Sequence, residues 1–183
     1  VIHGEILRLT HLIKELSELS IVEDDEIKLY ADNVDLSVTL NDITDSYEPM
    51  FIEKNIKLNK NIQDNIVIVG DIDYLKRIFA NILSNAYKYT NENGTVNVSL
   101  SQINDKIKIS VSDTGIGIPK EDLKHIFERF YRSDLSRARE TGGTGIGLTI
   151  TKALVEAHGG TIKIDSEVGK GTNVIIELSR LTL

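Results

Sequence analysis

The 183-residue chain has no cysteine, so neither a disulfide framework nor a thiolate metal centre is available to it. No apolar stretch approaches the roughly 20 residues needed to span a bilayer, and no secretory leader is recognisable. Basic residues are in the minority: 21 Lys and Arg face 28 Asp and Glu, a net charge of -7. Nucleic acids select basic faces, so a DNA or RNA partner is excluded on charge. An acidic chain can still hold a polyphosphate if a local pocket supplies donors and a cation. The commonest phosphate signatures are also missing. G-x-x-x-x-G-K-[ST] does not occur, nor do the H-R-D and D-F-G elements of protein kinases. A Rossmann fingerprint fails because the polar run Ser136 to Thr141 precedes the glycines, where an apolar strand is required. The chain opens on Val1 rather than methionine, which is expected of a piece of something longer.

What is present is a globular composition, 40% hydrophobic and 27% charged, in a chain long enough to bury a core. Ile2, Ile6, Leu9, Ile13 and Leu16 follow heptad spacing and predict one amphipathic helix. The run Glu23-Asp24-Asp25-Glu26 ends it as a linker. Leu36, Leu40, Ile43, Tyr47 and Phe51 trace a second helix face, after a short extended piece at 33–36. Alternation predicts strands over 55–62 and 66–69. Asp71 is placed to N-cap a third helix to about Tyr89, with Leu75, Ile78, Phe79, Ile82 and Ala86 on its apolar side. Asn93-Gly94 opens a hairpin of strands 95–101 and 106–112. A short helix near 121–127, a polar loop over 132–145, a helix over 147–158 and strands 161–165 and 172–178 complete the reading. Strands in pairs with helices between them predict an α+β two-layer sandwich: a mixed or antiparallel sheet covered on one face by helices, preceded by one amphipathic helix. The expected division is 1–22 helix, 23–32 linker and 33–183 globular domain.

Four clusters carry chemistry. Asn81, Asn85 and Lys88 share one helix face, and an amide oxygen suits the octahedral shell of Mg²⁺; the plainer reading is a solvated face. Asp113-Thr114-Gly115-Ile116-Gly117-Ile118-Pro119 follows a strand. Its carboxylate is acceptor-only and matches an exocyclic amine, while the glycines let backbone approach a flat ring; a simple strand-end turn is the alternative. Gly142-Gly143-Thr144-Gly145-Ile146-Gly147-Leu148 runs into the last long helix and can cradle phosphate with successive N–H groups. Gly169-Lys170-Gly171-Thr172 reads on its own as a glycine-bearing hairpin.

In this order the clusters, with Phe127-Glu128-Arg129-Phe130-Tyr131-Arg132 and His158-Gly159-Gly160, resemble the catalytic domain of sensor histidine kinases. That domain has the Bergerat fold, shared with gyrase, MutL and a chaperone family. The match runs from about Asn33 to the C-terminus. The resemblance implies a magnesium-dependent, ATP-binding phosphotransferase. Asn85 would be the Mg²⁺ ligand, Lys88 and Tyr89 nucleotide contacts, and Asp113 the adenine reader, with Gly115 and Gly117 beside the ring. Gly143, Thr144, Gly145, Ile146, Gly147 and Leu148 would belong to the lid and its following turn. Thr172 would lie near the base through water, Arg132 would point at the γ-phosphate, and Phe127 and Phe130 would pack the lid's hinge. Residues 8–16 resemble the second helix of the dimerisation and phosphotransfer hairpin, implying a homodimer through this region. A response regulator and a membrane-anchored parent with this domain in the cytoplasm are further implications.

Two details refine the reading. Hydrolysing relatives place a glutamate four residues before the metal-binding asparagine, where Asn81 stands here. An amide is a poor general base, so the site favours transfer to an incoming nucleophile over hydrolysis. None of His3, His11, His125 and His158 has an acceptor's context, in which an acidic residue follows and a proline comes a few residues on. The acceptor is expected on a hairpin outside this chain. The alternatives are a nucleotide-sensing module without transfer and a hydrolysing ATPase; steady phosphate release would favour the second.

Overall fold

The computed structural model describes residues 27–132 and 145–180. Among them the order is β1 (Asp32–Asp35), α1 (Leu36–Glu53), β2 (Lys57–Ile62), β3 (Val67–Gly70), α2 (Ile72–Tyr89), β4 (Thr95–Ile103), β5 (Lys106–Asp113), α3 (Lys120–Leu123), α4 (Gly147–Ala157), β6 (Thr161–Glu167) and β7 (Gly171–Ser179). The helix expected over residues 1–22 and residues 133–144 of the polar loop lie outside the described residues.

Five strands form one sheet in the order β2-β4-β5-β7-β6. β2 runs parallel to β4, and the other neighbours are antiparallel. Along β4, β5 and β7 one face is apolar: Val96, Val98, Leu100, Ile107, Ile109, Val111, Val174, Ile176 and Leu178 are buried. The residues between them, such as Asn97, Ser110 and Asn173, form the other face and hydrogen-bond across it. α1, α2 and α4 cover the apolar face and share one core with it. This is the predicted two-layer α+β sandwich with a mixed sheet. β1 and β3 make a separate antiparallel ribbon.

Asp35 caps α1, accepting from the Val38 amide at 3.0 Å. Asp71 caps α2, as its position in the sequence predicts, and its Oδ1 accepts from the amides of Asp73 and Tyr74. Leu75, Ile78, Phe79, Ile82, Leu83 and Ala86 form the buried stripe of α2, and each of the larger ones gains about 1.5–3 kcal/mol on full burial. His158 closes α4 as its C-cap and is buried. Its Nδ1 lies 2.7 Å from the Leu154 carbonyl, and its Nε2 accepts from the Asp71 amide at 3.0 Å. That pattern requires the neutral ring with its proton on Nδ1.

Two local expectations shift. The β4–β5 hairpin closes at Asn104-Asp105, with Asn104 in the left-handed region. Asn93-Gly94 instead leads into β4, held by the Asn93 amide on the Asn55 carbonyl. The helix expected over 121–127 stops at Leu123. Beyond it, His125, Glu128 and Tyr131 each donate to the carbonyl three residues back, giving successive tight turns rather than a continued helix.

Candidate functional site

Strand register builds one wall of a cavity. Asp113 at the end of β5 pairs with Thr172 on β7, which pairs with Ser166 on β6. Two residues further in, Val111, Val174 and Ile164 form the next rung and give the cavity an apolar floor. The opposite wall is α2, which presents Asn81, Asn85, Lys88 and Tyr89. Gly145, Gly147 and Leu148 line it from the start of α4, and Tyr131 and Arg132 from the preceding segment.

Asp113 faces this space from a largely buried position. Burial pushes its carboxyl above the ordinary carboxylate range, and the amides of Gly115 and Thr172, both donating to it, pull the other way. The Gly115 bond is 2.8 Å, to Oδ1. The loop after Asp113 is fastened at Ile116: its amide donates to the Tyr89 carbonyl of α2, and its carbonyl accepts from the Gly169 amide. Gly117 has φ of +70°, and a Cβ there would stand 2.0 Å from the Glu167 carbonyl oxygen. Only glycine permits that approach. The Gly169-to-Thr172 turn, which reads from sequence as a plain hairpin, is thus the backing of this loop.

At the other end, Asn81 is fixed rather than mobile. Its Nδ2 donates to Thr151 Oγ1 at 2.6 Å, and that hydroxyl donates to the Gly147 carbonyl at 2.9 Å. A hydroxyl has one hydrogen, so Thr151 must accept from Asn81, which assigns the amide's orientation. A Cβ on Gly147 would meet Asn81 Oδ1 at 2.5 Å, so glycine is required here for close packing between α2 and α4. Ile146 supplies no side-chain cap to α4, and its first turn has no acidic residue. A helix N-terminus of this kind suits an anion.

No cluster of three or more His, Cys, Asp or Glu able to hold a cation occurs among the described residues. Asn85 is a neutral oxygen donor on the cavity wall. That donor set fits Mg²⁺ bound jointly by one protein oxygen, ligand phosphates and water, and does not fit an all-protein metal cage.

Of the predicted site residues, Asn81, Asn85, Lys88, Tyr89, Asp113, Gly117, Arg132, Gly145, Gly147, Leu148 and Thr172 converge on this one cavity. Gly115 stands behind it, tied to Asp113, and Ile146 is buried in the hydrophobic core. Gly143 and Thr144 lie outside the described residues. The Phe127 ring lies 5.4 Å from Lys152 Nζ, and its carbonyl accepts from Thr149 Oγ1. Phe130 is 58% exposed with φ of 63°, and residues 133–144 of the lid that both rings are expected to pack lie outside the described residues. The Phe130 backbone, not its ring, lies against Gly145. Sequence reasoning missed Ser166, Ile164, Val174, Ile126 and Tyr131 as neighbours of the site. The alternating pattern marks such strand residues as inward-facing, but only the register sets them beside Asp113.

Comparison with known proteins agrees with this geometry. The profile of the family described as "Histidine kinase-, DNA gyrase B-, and HSP90-like ATPase" matches residues 70–182. Sensor histidine kinase WalK of Bacillus subtilis (strain 168) is 37% identical over 181 residues, covering 97% of this chain and 30% of that protein. The structure of full-length ShkA in complex with AMPPNP superposes with a TM-score of 0.81 at 27% identity, covering 96% of this chain and 37% of that one. A mycobacterial sensor histidine kinase, MprB, gives a TM-score of 0.71 at 29% identity over 83% of this chain and 100% of that one. The chain spans between 30% and 38% of the length of the first curated relatives it matches.

Proposed function

The chain belongs to the histidine kinase-, DNA gyrase B- and HSP90-like ATPase family, and from that premise we propose that it is the ATP-binding catalytic domain of a sensor histidine kinase. In this reading it transfers the γ-phosphoryl group of Mg-ATP to a histidine on a phosphotransfer hairpin. Asp113 accepts from the adenine amine, with Gly115, Gly117 and Thr172 around the base. Asn85 would hold Mg²⁺, and Lys88, Arg132 and the amides at the start of α4 would neutralise the phosphates. The metal's contribution is charge neutralisation at the transferring group.

The observation that carries this reading is the polarity of one cavity: a buried carboxylate over an apolar floor at one end, and amides with a lysine at the other. The absence of a carboxylate at position 81 favours transfer over hydrolysis. Asn81 Nδ2 is committed to Thr151, and an amide cannot deprotonate water near neutral pH. An imidazole needs no strong base: its ring-nitrogen lone pair forms the N–P bond as the γ-phosphorus–oxygen bond breaks. The electron pair leaves on ADP, and the other ring nitrogen releases its proton. Positioning and charge neutralisation are then sufficient catalysis.

The proposed partners are the phosphotransfer hairpin, a second copy of the parent protein through residues 1–22, and a response regulator. We place the domain in the cytoplasm of a parent anchored in a membrane; no helix among the described residues is long and apolar enough to cross one. Incubation with γ-labelled ATP and Mg²⁺, with and without an isolated acceptor hairpin, tests the function. Acid-labile label should appear on the hairpin only. Phosphate release by the chain alone at about 1 s⁻¹ or faster, in the ordinary enzymatic range, would instead make it a hydrolysing ATPase.

A further inference from the structure

Ser166 is an unremarked serine near the end of an edge strand, yet three groups converge on its hydroxyl. The Ile118 amide, from the loop that follows Asp113, donates to Ser166 Oγ at 2.8 Å. Ser166 Oγ donates to the Gly171 carbonyl at 2.8 Å. Thr172 Oγ1 lies 2.9 Å from the same oxygen. A serine hydroxyl carries one hydrogen, and the Gly171 carbonyl can only accept it. Thr172 must then donate its own hydrogen to Ser166, giving a directed chain from Thr172 through Ser166 to Gly171 that reinforces itself. Thr172 Oγ1 is left with lone pairs alone, beside Asp113 in the same rung and on the cavity wall.

We propose that Ser166 is a positioning residue that fixes the Thr172 hydroxyl as a hydrogen-bond acceptor, and so makes the site select a purine bearing a 6-amino group over one bearing a 6-oxo group. The inference rests on the nucleotide-binding reading above. Asp113 alone supplies one acceptor. With Thr172 locked, a 6-oxo group in direct contact meets lone pairs from two side chains, whereas an amine in the same place meets acceptors from both. Without Ser166, Thr172 can turn its hydrogen toward the cavity and donate to a 6-oxo group. Ser166→Ala also leaves the Ile118 amide without its partner, so the variant can loosen the loop as well. A ratio of affinities separates the two effects, because loosening weakens both nucleotides alike.

The experiment is titration calorimetry of the chain with Mg-ATP and with Mg-ITP, which differ at the purine 6-position. Wild type should bind ATP at least tenfold more tightly than ITP. Ser166→Ala should lower that ratio about five- to tenfold, the scale of one neutral hydrogen bond gained or lost. Ser166→Thr, which keeps a hydroxyl on a strand, should retain the wild-type ratio. Thr172→Val should lower the ratio as Ser166→Ala does, and the double variant should go no lower, since the two residues act through one group. Thr172→Val keeps Ser166, so it tests the same chain if Ser166→Ala does not fold. An unchanged ratio in folded Ser166→Ala, or additive losses in the double variant, would overturn the proposal while leaving nucleotide binding intact. Wild type that binds neither triphosphate would overturn the functional reading, and this inference with it.

Discussion

In the proposed function, Asp113 serves binding at the expense of the fold. Burial raises its folded carboxyl above the value it has in the unfolded chain. The ionised form therefore opposes folding: stability associated with this group is full below the unfolded value and lost as pH rises through the folded one. Asp113→Asn should raise the thermal midpoint of the ligand-free chain at neutral pH. That advantage should shrink as the pH falls through the raised folded value and the wild-type carboxyl also takes up a proton. The shift also predicts that ATP affinity declines on acidification at a higher pH than for an ordinary exposed carboxylate, because a protonated Asp113 presents a donor to an amine. Asp113→Ala should weaken ATP binding by about ten- to over a hundredfold, the loss of one hydrogen bond to a desolvated carboxylate. Calorimetry across pH on wild type and variant measures both effects, and unchanged ATP affinity in the alanine variant would remove Asp113 from the site.

At the scale of elements, α2 is the member on which the site depends, because it carries Asn81, Asn85, Lys88 and Tyr89. Its start is held by Asp71, whose carboxylate takes the amides of Asp73 and Tyr74 on one oxygen and of Tyr30 on the other. Its end is held by Lys54 of the segment after α1, donating to the Tyr87 carbonyl at 2.7 Å. Its middle is joined to α1 by Tyr47 Oη on the Ala80 carbonyl and to α4 by Asn81 on Thr151. Asp71→Ala should cost about 0.5–2 kcal/mol, the range for losing a helix cap. Thr151→Val keeps the shape of a residue that is 1% exposed but leaves the Asn81 amide unpaired, for about 1–3 kcal/mol. Thr151→Ser should restore most of it. Urea unfolding of each variant reads these values, and a midpoint for Thr151→Val equal to wild type would mean that Asn81 finds another partner.

At the scale of the whole molecule, the histidine inventory sets the expected behaviour. His158 is buried, with both ring nitrogens engaged. His125 lies beside Glu128 at 2.6 Å, outside the cavity lining. His3 and His11 lie outside the described residues, and their sequence contexts are not those of acceptors. Transfer to an added hairpin is then bimolecular. Its rate should rise with hairpin concentration and saturate, and at micromolar hairpin it should fall well below that of a linked protein. A short tether supplies an effective concentration on the order of millimolar. Time courses with labelled ATP over a range of hairpin concentrations measure this. Label on the chain alone would make one of its own histidines an acceptor.

The sequence by itself determined most of the elements and the residue types that carry the proposed chemistry. Asp71 before an apolar helical stripe, the alternation of Val96 to Leu100 and of Ile107 to Val111, and the Asp113-to-Gly117 turn are local patterns. Hydrogen-bond capping and the two- and 3.6-residue periods make them legible without a partner. The same is true of the amide at position 81 and of the amide and lysine that follow it on one helix face. The tertiary structure decided what lies beside what. The parallel pairing of β2 with β4, the separate β1–β3 ribbon and the pairing of Asp113 with Thr172 are contacts across tens of residues. A strand's own sequence fixes which face is buried but not which neighbour it joins, because any apolar face can satisfy that pattern. Gly147 makes the same point. In sequence it is one glycine of a phosphate-loop pattern; in the fold it is the only residue small enough for α4 to rest on Asn81, and that contact exists only once two distant helices have packed.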